Sequence, residues 1–116
     1  MKVLKFGGTS VGSAQRMKDV TKLICDGSQK IVVLSAMSGT TNTLVETSDY
    51  LYKKNLDGAN ETINSLQKKY NAVVEELYTT DDYKKKANEI ISERFDFIRS
   101  LTKNIFTSFE EKAILA

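Results

Sequence analysis

The residues best suited to chemistry stand near the start of the chain. Lys5, Gly7, Gly8, Thr9 and Ser10 fall within Val3-Leu4-Lys5-Phe6-Gly7-Gly8-Thr9-Ser10-Val11-Gly12. Glycines lack Cβ, so such a turn can take positive φ and let a ligand reach main-chain N–H groups, while two hydroxyls add donors. A helix that follows aims its N-terminal amides and positive dipole end at the same point, which suits an anion, phosphate above all. Lys5 is the nearest fixed cation in the sequence. The spacing is not a P-loop, which needs Gly-Lys-Ser/Thr after its glycines, nor the dinucleotide fingerprint, whose third glycine is missing. On pattern alone an ordinary strand-to-helix turn with a solvated Lys5 is the commoner outcome.

The elements that must position these groups follow from the spacing around them. Residues 2 to 6 read as a short strand, and residues 13 to 25 as a helix whose Met17, Val20 and Ile24 recur at three and four. Asp26-Gly27 closes that helix, since glycine accepts the left-handed conformation in which helices end. Residues 31 to 35 form a continuous β-branched run without alternation, as expected of a strand covered on both faces and parallel to its neighbour. Strand, helix, strand predicts a right-handed crossover. Ligands gather at the carboxyl ends of strands in such units, so the loops after Phe6 and after Leu34 face one crevice, where Lys5 and Ser35 meet. The second loop, Ser38-Gly39-Thr40-Thr41-Asn42, brings hydroxyls, an amide and a glycine. Thr41 or Asn42 caps a helix that begins near Thr43. Without more, a simple cap accounts for each of these hydroxyls.

Lys5-Phe6-Gly7-Gly8-Thr9-Ser10-Val11-Gly12, so near the first residue, resembles the N-terminal signature of aspartate kinases, a branch of the amino-acid kinase family. Val32-Val33-Leu34-Ser35-Ala36-Met37-Ser38-Gly39-Thr40-Thr41-Asn42-Thr43-Leu44 is similar to that family's second strand and its serine- and threonine-bearing loop, at the expected distance. The resemblance is strong over residues 1 to 45 and weaker from there to 116. It implies an α/β fold, the N-terminal part of a three-layer, carbamate kinase-like domain with two parallel strands and about five helices. It also implies phosphorylation of the side-chain carboxylate of L-aspartate by Mg-ATP, at the head of the lysine, threonine and methionine pathways. A carboxylate with a pKa near 3.9 is ionised at neutral pH, so positioning and charge stabilisation suffice and no general base is needed.

By the resemblance, Lys5 is the catalytic cation and a phosphate ligand. Gly7, Gly8, Thr9 and Ser10 cradle the nucleotide phosphates, and Ser35 and Thr41 match positions that contact aspartate. ATP and Mg2+ are the implied cofactors, although no carboxylate in residues 1 to 45 stands in a matched motif to hold Mg2+. L-aspartate and ATP are the implied small-molecule partners of a homo-oligomer. A glutamate or acetylglutamate kinase is the rival within the family, and the Thr-Ser after the glycines argues against it. A non-catalytic helical interaction module that keeps the strand-turn only as structure is the rival from another class.

The remainder is helical by its spacing. A helix over about 43 to 55 directs Leu44, Val45, Ser48 and Leu51 inward and ends at Asp57-Gly58. Another over about 60 to 78 carries Ile63, Leu66, Tyr70, Val73, Val74 and Leu77, and a third over about 81 to 106 carries Ala87, Ile90, Ile91, Ile98, Leu101 and Ile105. Such stripes are core. Ser108-Phe109-Glu110-Glu111 has capping-box spacing and predicts a further helix starting at Ser108. That helix has only Lys112 to Ala116 to run in, and two strands are too few for an open α/β fold. Residues 1 to 116 are therefore expected to be the N-terminal portion of a catalytic domain, truncated at its C-terminal end and inactive alone.

Composition bounds the rest. A chain of 116 residues, 41% hydrophobic and 28% charged, suits one domain that buries roughly two thirds of its unfolded surface. Net charge is +2, with acids interspersed among the lysines, which leaves no footprint for nucleic acid or a membrane surface; Lys84-Lys85-Lys86 reads as a solvated helix face. With no histidine and Cys25 as the single cysteine, an intramolecular disulfide is excluded and the usual metal-ligand clusters cannot form. Cys25 reads as structural. The apolar run Ile31 to Leu34 is far too short for a membrane span, and Met1 leads into a strand without a signal-peptide pattern, which points to the cytoplasm.

Overall fold

The structure, a computed structural model, describes the backbone of residues 1–115 and the side chains of residues 1–111. The elements are β1 (Lys2–Phe6), α1 (Ala14–Ile24), β2 (Lys30–Leu34), α2 (Thr40–Tyr52), α3 (Leu56–Leu77) and α4 (Asp81–Leu115). β1 and β2 pair in parallel, with Lys2 opposite Lys30 and Phe6 opposite Leu34. The fold is α/β, and α1 supplies the crossover that a parallel pair requires.

Ser13 starts α1 by accepting the Arg16 amide on its hydroxyl at 3.2 Å. The helix stops where the Cys25 N–H reaches the Thr21 carbonyl at 3.0 Å and Gly27 turns to φ 81°. The Cys25 thiol is exposed, which corrects its assignment as structural: only its backbone takes part in the cap. The sheet departs from expectation too. Partners across a parallel pair share a face, and Leu4, Phe6 and Val32 on one face are half-buried. On the other, Val3, Lys5, Ile31 and Val33 are exposed, Ile31 by 50% and Val33 by 44%. A strand expected to be covered on both faces is therefore open on one, and Leu34 at the end of the other is exposed by 59%, because the apolar stripes of the helices are spent on each other.

The core lies among those helices. Ile63, Leu66 and Phe95 form its centre, with Tyr70, Ile91 and Ile98 packed on it from α3 and α4. Tyr70 meets Phe95 edge to face with centroids 5.6 Å apart, the arrangement that ring quadrupoles favour. Beside them Arg99 of α4 bonds Asn64 of α3 at 2.8 and 3.1 Å, which ties the two helices in register. Ile90 and Leu101, assigned inward from their spacing, are exposed by 60% and 48%.

Four helices are formed rather than about five. The break expected at Ser108 is absent, and α4 continues through it. A capping box works only where the serine leaves helical φ/ψ. Residues 81 to 115 contain no glycine or proline to force that departure, and the preceding Thr107 returns its hydroxyl to the Lys103 carbonyl at 2.9 Å, as a threonine does inside a helix. The expectation of a run ending at Ala116 lies outside the described residues. Asp57-Gly58 opens α3 instead of closing α2: Lys54 takes φ 58° after Tyr52, and Asn55 caps α3 by accepting the Gly58 amide at 2.9 Å. A Cβ on Gly58 would stand 2.7 Å from the Tyr50 ring, so the glycine lets α2 and α3 meet closely. In α2 it is Thr40, Thr47 and Leu51 that are buried, while Leu44 and Val45 are exposed.

Candidate functional site

The two loops after the strands lie together at the carboxyl end of the sheet. Ser35 extends the ladder by donating its amide to the Phe6 carbonyl at 3.0 Å. A Cβ placed on Gly8 would stand 3.2 Å from the Ala36 carbonyl and 3.5 Å from the Ser38 amide. Backbone meets backbone there, and any side chain at position 8 would push the loops apart. Gly8 thus serves close approach. Neither Gly7 nor Gly8 takes the left-handed φ that its type suggested, which belongs to Gly27 and Gly39.

The first loop winds on itself before α1. The amides of Ser10 and Val11 bond the Gly7 carbonyl at 3.0 and 3.3 Å, and that of Gly12 bonds the Thr9 carbonyl at 3.3 Å. Among the described residues the Gly8 and Thr9 amides have no such partner, which leaves two donors in the turn for an anion. Arg16, from the first turn of α1, donates to the Thr9 carbonyl at 3.3 Å and steadies the loop from outside. Beside it Phe6, Ser10, Arg16, Asp19, Val20 and Leu23 line a shallow depression of about 210 Å³.

The second loop turns at Gly39, whose φ of 87° is easy only for glycine, and α2 begins at Thr40. Neither Thr41 nor Asn42 caps that helix, contrary to the spacing argument. The turn at Gly39 brings the helix in three residues early, and Thr40 points its hydroxyl to the Tyr70 hydroxyl at 2.6 Å. Thr43 and Thr47 return theirs to carbonyls one turn back. Lys69 of α3 bonds the Ser38 carbonyl.

The residues assigned from sequence are distributed as follows. Lys5 is exposed in β1 opposite Val33. Gly7 and Thr9 are exposed, and Gly8 and Ser10 half-buried, in the first loop. Ser35 is exposed one bonded step beyond the Phe6–Leu34 pair, and Thr41 is exposed in the first turn of α2. The topology puts Lys5, the first loop and Ser35 at one end of the sheet. Arg16, Lys69 and Tyr70 were missed: Lys69 and Tyr70 hold the second loop across about 30 residues, and Arg16 reaches back seven residues to the first, contacts for which a local pattern carries no signal. No group of three His, Cys, Asp or Glu side chains able to hold a metal comes together among the described residues, and no helix there is long and apolar enough to cross a membrane.

Comparison with known proteins bears on this arrangement. Residues 1–111 match the model of the Amino acid kinase family. The chain is 49% identical over 49 residues to Aspartokinase 2, chloroplastic, of Arabidopsis thaliana, a stretch that covers 40% of this chain and 9% of that protein. It is 33% identical over 82 residues to the Bifunctional aspartokinase/homoserine dehydrogenase, chloroplastic, of Daucus carota, covering 67% of this chain and 9% of that protein. With the Aspartate kinase of Pseudomonas putida it shares 50% over 48 residues, 38% of this chain and 12% of that protein. The matched stretches span only about a tenth of the length of these curated relatives.

Proposed function

The chain belongs to the amino acid kinase family, and from that premise we propose that it forms the N-terminal part of an aspartate kinase. The observation that carries the proposal is the contact of the two loops, with Gly8 against Ala36 and Ser38 at the carboxyl ends of parallel strands. That contact brings together two loops with different chemistry. The first offers free amides at Gly8 and Thr9 and hydroxyls at Thr9 and Ser10, with Lys5 beside it, and these suit the phosphates of ATP. The second offers the hydroxyls of Ser35 and Thr41 for the amino-acid substrate. The aspartokinase names of the relatives, and the Thr-Ser that follows the glycines, support aspartate over glutamate or acetylglutamate.

In the proposed reaction an oxygen of the ionised aspartate side chain attacks the γ-phosphorus of ATP. The bond from that phosphorus to the β,γ-bridging oxygen breaks, ADP leaves, and 4-phospho-L-aspartate forms, the entry compound of lysine, threonine and methionine biosynthesis. Lys5 neutralises charge on the transferring group and leaving oxygen, and the loop amides fix its oxygens. Mg2+, when bound with ATP, would neutralise phosphate charge; among the described residues no three His, Cys, Asp or Glu side chains come together to hold it.

The test uses the full-length protein. ATP consumption should depend on L-aspartate and yield an acyl phosphate that hydroxylamine traps as the hydroxamate, with little turnover on glutamate or N-acetylglutamate. Turnover on either of those alone would move the substrate assignment. Absence of any amino-acid-dependent turnover would sink the kinase reading.

A further inference from the structure

We propose that Lys69 is a positioning residue for the second loop, acting through the Ser38 carbonyl that its ammonium bonds. Two observations set its ammonium against the loop, and a third anchors its neighbour Tyr70 to the next residue along. Its Nζ donates to the Ser38 carbonyl across 31 residues of sequence. The loop turns at Gly39 with φ 87°, and a Cβ there would stand 3.3 Å from Lys69 Nζ, so the ammonium sits in the hollow of the turn. One residue further along α3, Tyr70 shares a 2.6 Å hydrogen bond with the buried Thr40 and rests edge to face on Phe95 of the core. Lys69 and Tyr70 therefore grip Ser38-Gly39-Thr40 at both ends, and Tyr70 carries that grip into the packed helices.

The consequence lies with Thr41, the next residue, at the start of α2. A loop turning at a glycine has many conformations open to it, and a charge-assisted bond to one carbonyl selects among them. Releasing it should spread the positions that Thr41 samples before substrate arrives and disturb the phosphate loop less, because that loop, although Gly8 packs on Ser38, is also held through Arg16 and Thr9. The inference rests on the proposed role of the second loop in binding the amino acid. Lost order there costs affinity for that substrate, since binding must restore it, more than it costs the turnover of bound substrate.

In the full-length protein Lys69→Met is expected to raise the KM for aspartate about tenfold while kcat and the KM for ATP move by less than about twofold. Lys69→Arg still donates to a carbonyl and should return the aspartate KM to within about threefold of wild type. Lys68→Met, at an exposed neighbour, should change neither KM. Amide exchange over residues 38 to 42, followed without substrates, should quicken in Lys69→Met and not in Lys69→Arg. Unchanged exchange in Lys69→Met, or an equal rise in both KM values, overturns the proposal. A wild-type protein without aspartate-dependent turnover would overturn the functional reading instead, and the exchange rates alone would then decide whether Lys69 holds the loop.

Discussion

The helical part of the molecule and the strand-and-loop part are held by different physics. Between α3 and α4 the contacts are between side chains: Ile63, Leu66 and Phe95 are nearly or fully excluded from water, and each such burial is worth about 1.5 to 3 kcal/mol. At the carboxyl ends of β1 and β2 the contacts are between backbones, Gly8 against Ala36 and Ser38, while Lys5, Ser35 and Thr41 stand exposed. One region stores stability and the other stores geometry. Substitutions should therefore separate by readout, with unfolding temperature following the helices and kinetics following the loops.

The largest expected effect tests the first half of that contrast. Ile63, fully buried, loses its contacts on both helices in Ile63→Ala, which should destabilise by about 3 to 4 kcal/mol through lost burial and the cavity left behind. Thermal or denaturant unfolding checks it, and a loss under about 1 kcal/mol would mean that the core is not centred there. The second half is tested by Lys5→Met, for which turnover should fall by roughly 10² to 10³, or about 3 to 4 kcal/mol, as the charge proposed to face the transferring phosphoryl group is removed. The unfolding temperature should hardly move, because Lys5 lies on the open face of the sheet. Full activity in Lys5→Met would remove its assigned role, and a large fall in stability would dissolve the contrast.

What was legible in the sequence divides along the same line. β1, α1, β2 and the order of the two loops could be read because each depends on near neighbours: an apolar run, a three-four stripe, Gly27 after it. Ile63 and Leu66 were legible as core from periodicity alone. Phe95 was not assigned, although it sits in the centre of the same cluster, because which turn of a long helix meets its neighbour is set by tertiary packing. Ser108 misled because a capping box and a helix interior share that spacing until backbone angles choose between them. Within the candidate site the glycines and hydroxyls could be named, but their holders could not. Arg16 at Thr9 and Lys69 at Ser38 are contacts made by folding, and an exposed Lys69 looks like any solvated lysine until α3 is laid beside the loop.

A smaller effect sharpens the contrast at the joint between α2 and α3. In the helical part a glycine is ordinarily a weakness, and Gly58→Ala would gain about 0.5 to 1 kcal/mol from helix propensity. Here the added methyl meets the Tyr50 ring at 2.7 Å and the capping Asn55 amide at 2.9 Å. Relieving that overlap should cost about 1 to 3 kcal/mol, so overpacking outweighs the propensity gain and the protein should lose up to about 2.5 kcal/mol. Kinetic constants should stay near wild type. Stabilisation by Gly58→Ala would show that Tyr50 moves aside freely and that the glycine is not needed for the approach of the two helices.

The smallest effect belongs to the other end of the sheet, where Asp26 lies before β2 and away from both loops. Its carboxylate bonds Lys30 and also accepts the Ser28 hydroxyl at 2.7 Å and the Ser28 amide at 3.0 Å. The Lys30 bond first, and then the two from Ser28, hold its pKa well below the usual carboxylate range. A folded-state pKa depressed in this way stabilises the fold only while the group is ionised. That contribution is complete above the ordinary carboxylate pKa of about 4 and fades as pH falls further toward the folded value. The Asp26 side chain is more than half exposed, so water and salt screen the contribution to a small one. Asp26→Asn should therefore lower the unfolding temperature slightly at pH 7, and the gap to wild type should narrow below about pH 4. Added salt should narrow it at pH 7 as well. Turnover and both KM values should be unchanged, because this turn fixes the entry to β2 and touches neither loop. A gap that widened on acidification would reverse the sign of the linkage, and an altered KM would show that the two ends of the strand pair are coupled.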